Sequence, residues 1–177
     1  MKREEEAKAE PAPGFWDPFR WDEECKPKNA AFSEEGTKFK CTVTNNEGCT
    51  AICTPETTKY HNSYFKIKIT NKNYEIMIGL KSRRDTYEVT AGKSPEEWFF
   101  RTDGKKIHNN KTDKYGSALK KDDVIECFLD RVEGTLSFLF NGKDQGQGPA
   151  FIDEKLKPST LYWSVYIDRG SDEVKIL

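Results

Sequence analysis

Apolar and polar positions alternate with a period of two along most of the chain. In Val124–Asp130, Ile125, Cys127 and Leu129 share one face, while Glu126 and Asp130 share the other. In Thr135–Phe140, Leu136, Phe138 and Phe140 alternate with Thr135, Ser137 and Leu139. That period marks strands with one buried face. Arg131–Gly134 reads as a polar reversal between them, closed by a residue that accepts positive φ. Asn141-Gly142 is the strongest short-range hairpin signal a sequence offers. The same pattern predicts strands over Lys38–Val43, Thr50–Thr54, Ser63–Thr70, Tyr74–Leu80, Trp98–Phe100, Leu161–Ile167 and Glu173–Leu177. Turns fall at Asn45–Gly48, Asn71–Asn73 and Asp103-Gly104, and a long polar loop runs over Lys81–Glu97. No stretch keeps helical spacing beyond two turns. Many short strands broken by turns predict an all-β fold, an antiparallel β-sandwich with long connecting loops.

The first thirteen residues are charged, then rich in Ala and Pro, with no apolar periodicity; they read as a flexible tail or linker stub. The domain is expected over residues 14–177. Phe15, Trp16, Phe19 and Trp21 place four aromatics in a short span, expected to cover a sheet edge or end. A partner-binding aromatic patch is the alternative for them.

Composition narrows function. At 177 residues the chain supports one domain with a substantial core. Lys and Arg number 29 against 30 Asp and Glu, so a dedicated polyanion binder is disfavoured. No apolar run is long enough for a membrane span, and the N-terminus lacks a secretory apolar core. Five cysteines without a leader read as reduced thiols in the cytoplasm, with the nucleus left open. Cys49 and Cys53 lack the second tight ligand pair of a closed zinc site, so neither metal nor cofactor is expected.

Nothing resembles a catalytic constellation. The two histidines, His61 and His108, have no motif partner, and His108 reads as a solvated loop residue. Glu96-Glu97 and Asp122-Asp123 are adjacent pairs, which on a strand point oppositely, and read as solubilising charges at strand starts. The glycine-rich stretch Gly142–Gly148 precedes no predicted helix, so it lacks the dipole of a phosphate loop. Trp98, Phe138, Phe151 and Trp163 read as core.

The ordered set Asp123-Val124-Ile125, Gly134–Phe138, Asn141-Gly142-Lys143, Ala150-Phe151, Leu161–Val165 and Glu173–Ile176 resembles the SPRY domain, most nearly those of SOCS-box and F-box ubiquitin-ligase adaptors. The resemblance runs from about Phe15 to the last residue. It implies a bent, concanavalin-like jelly-roll sandwich. It also implies a non-catalytic interaction module whose loops form a shallow pocket for a short peptide motif of a partner protein. A monomer is expected, and nucleic acid is not an expected partner.

The adaptors' pocket uses an Arg-x-Pro strand, a loop Tyr and a Val-Trp-Gly loop. On this chain these map onto Cys41-Thr42-Val43, Tyr87 and Asp168-Arg169-Gly170. Thr90 and Tyr74 are placed in the same partner-facing set. An apolar shelf is thus replaced by an acid and a base, which implies a different ligand. Arg169 is suited to gripping a carboxylate or carbonyl, and Tyr87 to anchoring. A simple Asp168–Arg169 pair is the plain alternative. An RNA-associated SPRY domain and a carbohydrate-binding sandwich are the other functional readings.

Overall fold

The computed structural model describes residues 18–42, 47–57, 62–82, 84, 91–145 and 148–177. Its strands in chain order are β1 (Arg20–Trp21), β2 (Ala30–Ser33), β3 (Lys38–Cys41), β4 (Cys49–Thr54), β5 (Ser63–Asn71), β6 (Ile76–Lys81), β7 (Glu97–Arg101) and β8 (Lys105–His108). There follow β9 (Lys111–Lys114), β10 (Val124–Asp130), β11 (Thr135–Phe140), β12 (Lys143–Asp144), β13 (Phe151–Ile152), β14 (Tyr162–Ile167) and β15 (Glu173–Ile176). Two short 3-10 turns, Glu23–Cys25 and Glu154–Leu156, complete the regular structure of the described residues. One antiparallel sheet runs β1-β4-β14-β6-β7-β8-β9. The other runs β12-β11-β10-β5-β15-β3-β2, with β13 also beside β11. The all-β sandwich is therefore as expected.

Register explains the alternation. Cys127 lies opposite Phe138 on β11 and Phe65 on β5, so these rows turn the same way. Together with Ile67, Ile69, Val174 and Phe39 they meet Ile78, Leu80, Phe100, Trp163 and Val165 of the other sheet in one core. Phe65 stacks on Trp163 with ring centroids 5.3 Å apart, and Phe100 meets Phe140 at 4.5 Å. Trp98, Phe138, Phe151 and Trp163 are all buried, as expected. Asn141 and Gly142 both take positive φ, the requirement of a primed hairpin turn. The Asn141 side chain also accepts from Val124 N, tying the hairpin to the start of β10.

The outer face of the seven-stranded sheet is buried as well. Ala91 lies over it, forming a second small apolar cluster with Phe99 and Tyr166, against which Met77 packs. Gly79 permits the close approach of β7: a Cβ there would lie 1.9 Å from Trp98 O. Beneath this cover Glu97 is 4% exposed and pairs with Lys81 at 4.0 Å, and its Oε2 accepts from Gly92 N. The reading of Glu97 as a solubilising charge is thereby corrected: it anchors the backbone at Gly92.

Three further expectations change. Tyr74 does not open β6, which begins at Ile76; it sits half-exposed in the preceding turn. His108 is not a solvated loop residue, since it ends β8, stacked on Trp98 at 5.3 Å. Arg131 belongs to a buried bracket rather than a polar reversal. Its guanidinium donates to Lys157 O, Ser159 O, Thr57 O and Thr57 Oγ1. At the far edge of the seven-stranded sheet, every residue of β9 is exposed, and Lys105 stands directly opposite Lys114.

Candidate functional site

Two loops meet at one end of the sandwich: the β5–β6 turn carrying Asn73 and Tyr74, and the β14–β15 loop carrying Asp168 to Asp172. They join through Asp172, which is fully buried. Its Oδ1 accepts from Asn73 N at 2.6 Å and Asn73 Nδ2 at 3.0 Å, and its Oδ2 accepts from Tyr74 N at 2.8 Å. Asn71 Nδ2 donates to Ser171 O and Asn73 Nδ2 to Ser171 Oγ. Ser171 takes a φ of 74°, a left-handed conformation unusual away from glycine. The end of β3 supports the loop from below, with Ser171 N donating to Cys41 O and Cys41 N to Asp172 O.

On this frame lies a shallow depression of about 380 Å³ lined by Asn73, Tyr74, Arg169, Gly170 and Ser171. The Arg169 guanidinium lies over the Tyr74 ring, 4.8 Å from its centroid. Its Nε donates to Asp168 Oδ2 at 3.3 Å, a long and poorly committed bond with both side chains 40% exposed. Among the described residues nothing claims its two terminal amino groups. Asp168 also accepts from the Tyr166 hydroxyl at 3.1 Å. Burial, reinforced by the Asp168 carboxylate, pushes the Tyr166 phenol up, so it stays a donor and holds Asp168 in place.

Tyr74, Asp168, Arg169 and Gly170 are thus brought together. Cys41 is not part of the surface: its side chain is fully buried, and only its backbone reaches the loop. That corrects its place in the partner-facing set, because a thiol turned into the core cannot touch a ligand. Val43, Tyr87 and Thr90 lie outside the described residues. Sequence reasoning missed Asn73, Ser171 and Asp172. Only the turn-forming Asn71-Lys72-Asn73 run hinted that this loop would be bonded through its side chains.

A second recess, of about 240 Å³, lies where Lys106 and His108 of β8 face Ala150 to Asp153. His108 Nδ1 lies 2.7 Å from Glu97 O, which can only accept, so that nitrogen carries a proton. Asp153 Oδ2 accepts from Trp98 Nε1 at 3.0 Å and stands 3.5 Å from His108 Nε2. Lys106 donates to Ala150 O. Most polar groups here already serve one another, so the recess clamps the two sheets together.

The family model described as SPRY domain matches residues 62–176, more than half of the chain. The chain belongs to the SPRY domain family. SPRY domains are generally protein-interaction modules and are non-catalytic. The SPRY domain of human HERC1 superposes with a TM-score of 0.75 at 21% identity, covering 88% of this chain and 96% of that one. The TRIM65 PSpry domain gives 0.68 at 12% identity, covering 91% and 90%. These likenesses establish the shared fold. In sequence, the chain is 42% identical over 65 residues to the ATP-dependent RNA helicase Ddx1 of Drosophila melanogaster, 36% of this chain and 9% of that protein. The chain spans only a small part of that relative's length.

Proposed function

We propose that this SPRY domain captures a short peptide segment of a partner protein in the depression between Tyr74 and Arg169, as the recognition part of a ubiquitin ligase or scaffold. The observation that carries this reading is the Arg169 guanidinium, which lies 4.8 Å over the ring of an exposed tyrosine with its terminal amino groups uncommitted among the described residues. A planar guanidinium fork so placed suits a carboxylate or two successive backbone carbonyls, and its contact with the Tyr74 ring reduces the freedom lost on binding. Tyrosine and arginine are also the residue types that dominate binding energy at interfaces. The ubiquitin-ligase context rests on the resemblance to SOCS-box and F-box adaptors alone.

Wild-type protein and an Arg169→Ala/Tyr74→Ala double variant, used side by side as bait with mass-spectrometric readout, test the proposal. Partners that bind through a peptide should be lost from the variant, and synthetic peptides from them should bind it at least about tenfold more weakly. Identical recovery by both proteins would rule out this depression as the working surface.

The local identity to an RNA helicase favours one second reading, association with RNA-handling assemblies. The near-balance of 29 basic and 30 acidic residues weighs against direct RNA binding. A steeply salt-dependent gel shift with single-stranded RNA would move the assignment there.

A further inference from the structure

The two sheets differ in their outer faces. Part of the seven-stranded sheet lies under Ala91, whereas the outward residues of β5, β10 and β11 are all open to solvent in some degree. Phe128 of β10 stands directly opposite Tyr64 of β5, and their ring centroids lie 5.0 Å apart. They are 38% and 44% exposed, while their strand neighbours Phe65, Cys127 and Leu129 are buried. Leu139 of β11 and Ile152 of β13, the latter 76% exposed, continue the patch toward the edge of the sheet. An aromatic pair with aliphatic flanks, left open to solvent, marks an interaction surface.

The charges beside this patch are mostly positive. Lys66 is the next outward residue of β5 and lies directly opposite Glu126, yet Glu126 accepts from the Tyr64 hydroxyl at 2.7 Å. Among the described residues no carboxylate pairs with Lys66. Beyond it, Lys68, Lys175 and Lys38 face one another across β5, β15 and β3, an arrangement that like charges resist. Their counter-charges include Asp122 and Glu34 on exposed rims, where ion pairs are weak and readily exchanged. The surface therefore complements an occupant that is apolar at its centre and acidic beside it.

Both β10 and β5 are inner strands, hydrogen-bonded on either side, so the platform has no free edge to which a peptide strand could add. An occupant must bring a backbone that satisfies itself, which a helix does. Three strands at about 4.8 Å spacing make a shelf about 10 Å wide, the diameter of one helix. We propose that this face is a docking surface for an acidic amphipathic helix of a partner protein. Its apolar stripe would sit on Tyr64 and Phe128, and its carboxylates would meet Lys66. Tyr64 lies about 23 Å along β5 from Asn71, so this helix and a ligand of the Arg169 depression do not compete. The surface does not depend on what that depression binds.

The test places a photo-crosslinking phenylalanine analogue at position 128 of the whole chain, with position 111 on β9 as the control site. Crosslinked peptides from cell lysate are then mapped. The expected crosslinks fall in segments whose apolar residues recur every three or four positions with Asp or Glu alongside. A synthetic peptide of such a segment should gain helix on binding, as read by circular dichroism. Phe128→Ala and Lys66→Glu should each weaken it at least about tenfold, and thermal melts check that both variants fold. Exchanging the peptide's acids for lysine should restore binding to Lys66→Glu, which a purely structural role of Lys66 would not do. The Arg169→Ala/Tyr74→Ala variant should bind the peptide as wild type does. Crosslinks no richer than at the control site would overturn the proposal. So would crosslinks confined to nucleic acid, to a second copy of this chain or to extended basic segments, or a charge exchange that restores nothing.

Discussion

Removing the Asp172 carboxylate should cost far more than its place before a short final strand suggests. It accepts three hydrogen bonds, two of them from the backbone N–H groups of Asn73 and Tyr74. Among the described residues those amides form no other bond that would replace it. A hydrogen bond to a charged group contributes about 1.5–3 kcal/mol, and an orphaned buried donor costs about 1–3 kcal/mol. The donors are only partly buried, so water recovers some of this, and Asp172→Ala should lose roughly 2–4 kcal/mol. For a domain of this size each kcal/mol moves the melting point by about 2–4 °C, which places the variant around 5–15 °C below wild type. Asp172→Asn keeps one accepting oxygen but turns an amide donor toward the other amides, so it should fall between the two. Asp168→Ala, on the exposed rim, should melt within about 1–2 °C of wild type. Thermal melts of the four proteins decide the point. An Asp172→Ala protein that melts with wild type would refute the claim that this side chain joins the loops.

Arg131→Ala should lower stability by about 3 kcal/mol in urea at unchanged slope, since it strands the carbonyls of Thr57, Lys157 and Ser159. An unmoved midpoint would mean water replaces the guanidinium without loss. Burial, then the hydrogen bond to Glu126, pushes the Tyr64 phenol up to about 12 from its ordinary 10. Because the folded value is raised, its contribution is fully present below pH 10 and fades as pH climbs through 12. Ultraviolet difference titration against Tyr64→Phe should show this late ionisation, and Glu126→Gln should bring it earlier. A Tyr64 that ionises at its ordinary value of 10 would contradict the bond.

The strands that build the shared core were legible because each buries one face. Ile125, Cys127 and Leu129, or Phe65, Ile67 and Ile69, write that burial directly into the alternation. The β8–β9 hairpin escaped because β9 is exposed on both faces, leaving no contrast between neighbours. Its turn, Asn109-Asn110, reaches positive φ as Asn-Gly does, but without the glycine that draws attention. Glu97, Lys81 and Arg131 looked like surface charges because their partners are set by tertiary folding. Arg131, for example, meets Thr57 from 74 residues away. At the candidate site the resemblance selected Asp168, Arg169 and Gly170, which the fold gathers at one end with Tyr74. It passed over Asp172 for the same reason, since its amide partners lie 98 and 99 residues distant. Cys41 was selected by alignment to an exposed position and proved inward-facing, because β3 places Phe39 and Cys41 on the core side.

Among the described residues the fully exposed β9 is the outermost strand of the seven-stranded sheet, the kind of edge along which copies of a protein can zip together. Lys111 and Lys114 lie on that strand, and Lys105 faces Lys114 across the hairpin at a small cost in repulsion. A second molecule arriving edge-on would bring the same ammonium groups against these. The hairpin thus trades a little internal comfort for colloidal safety, a protection that concentrated salt or lysine acetylation would remove without touching the fold.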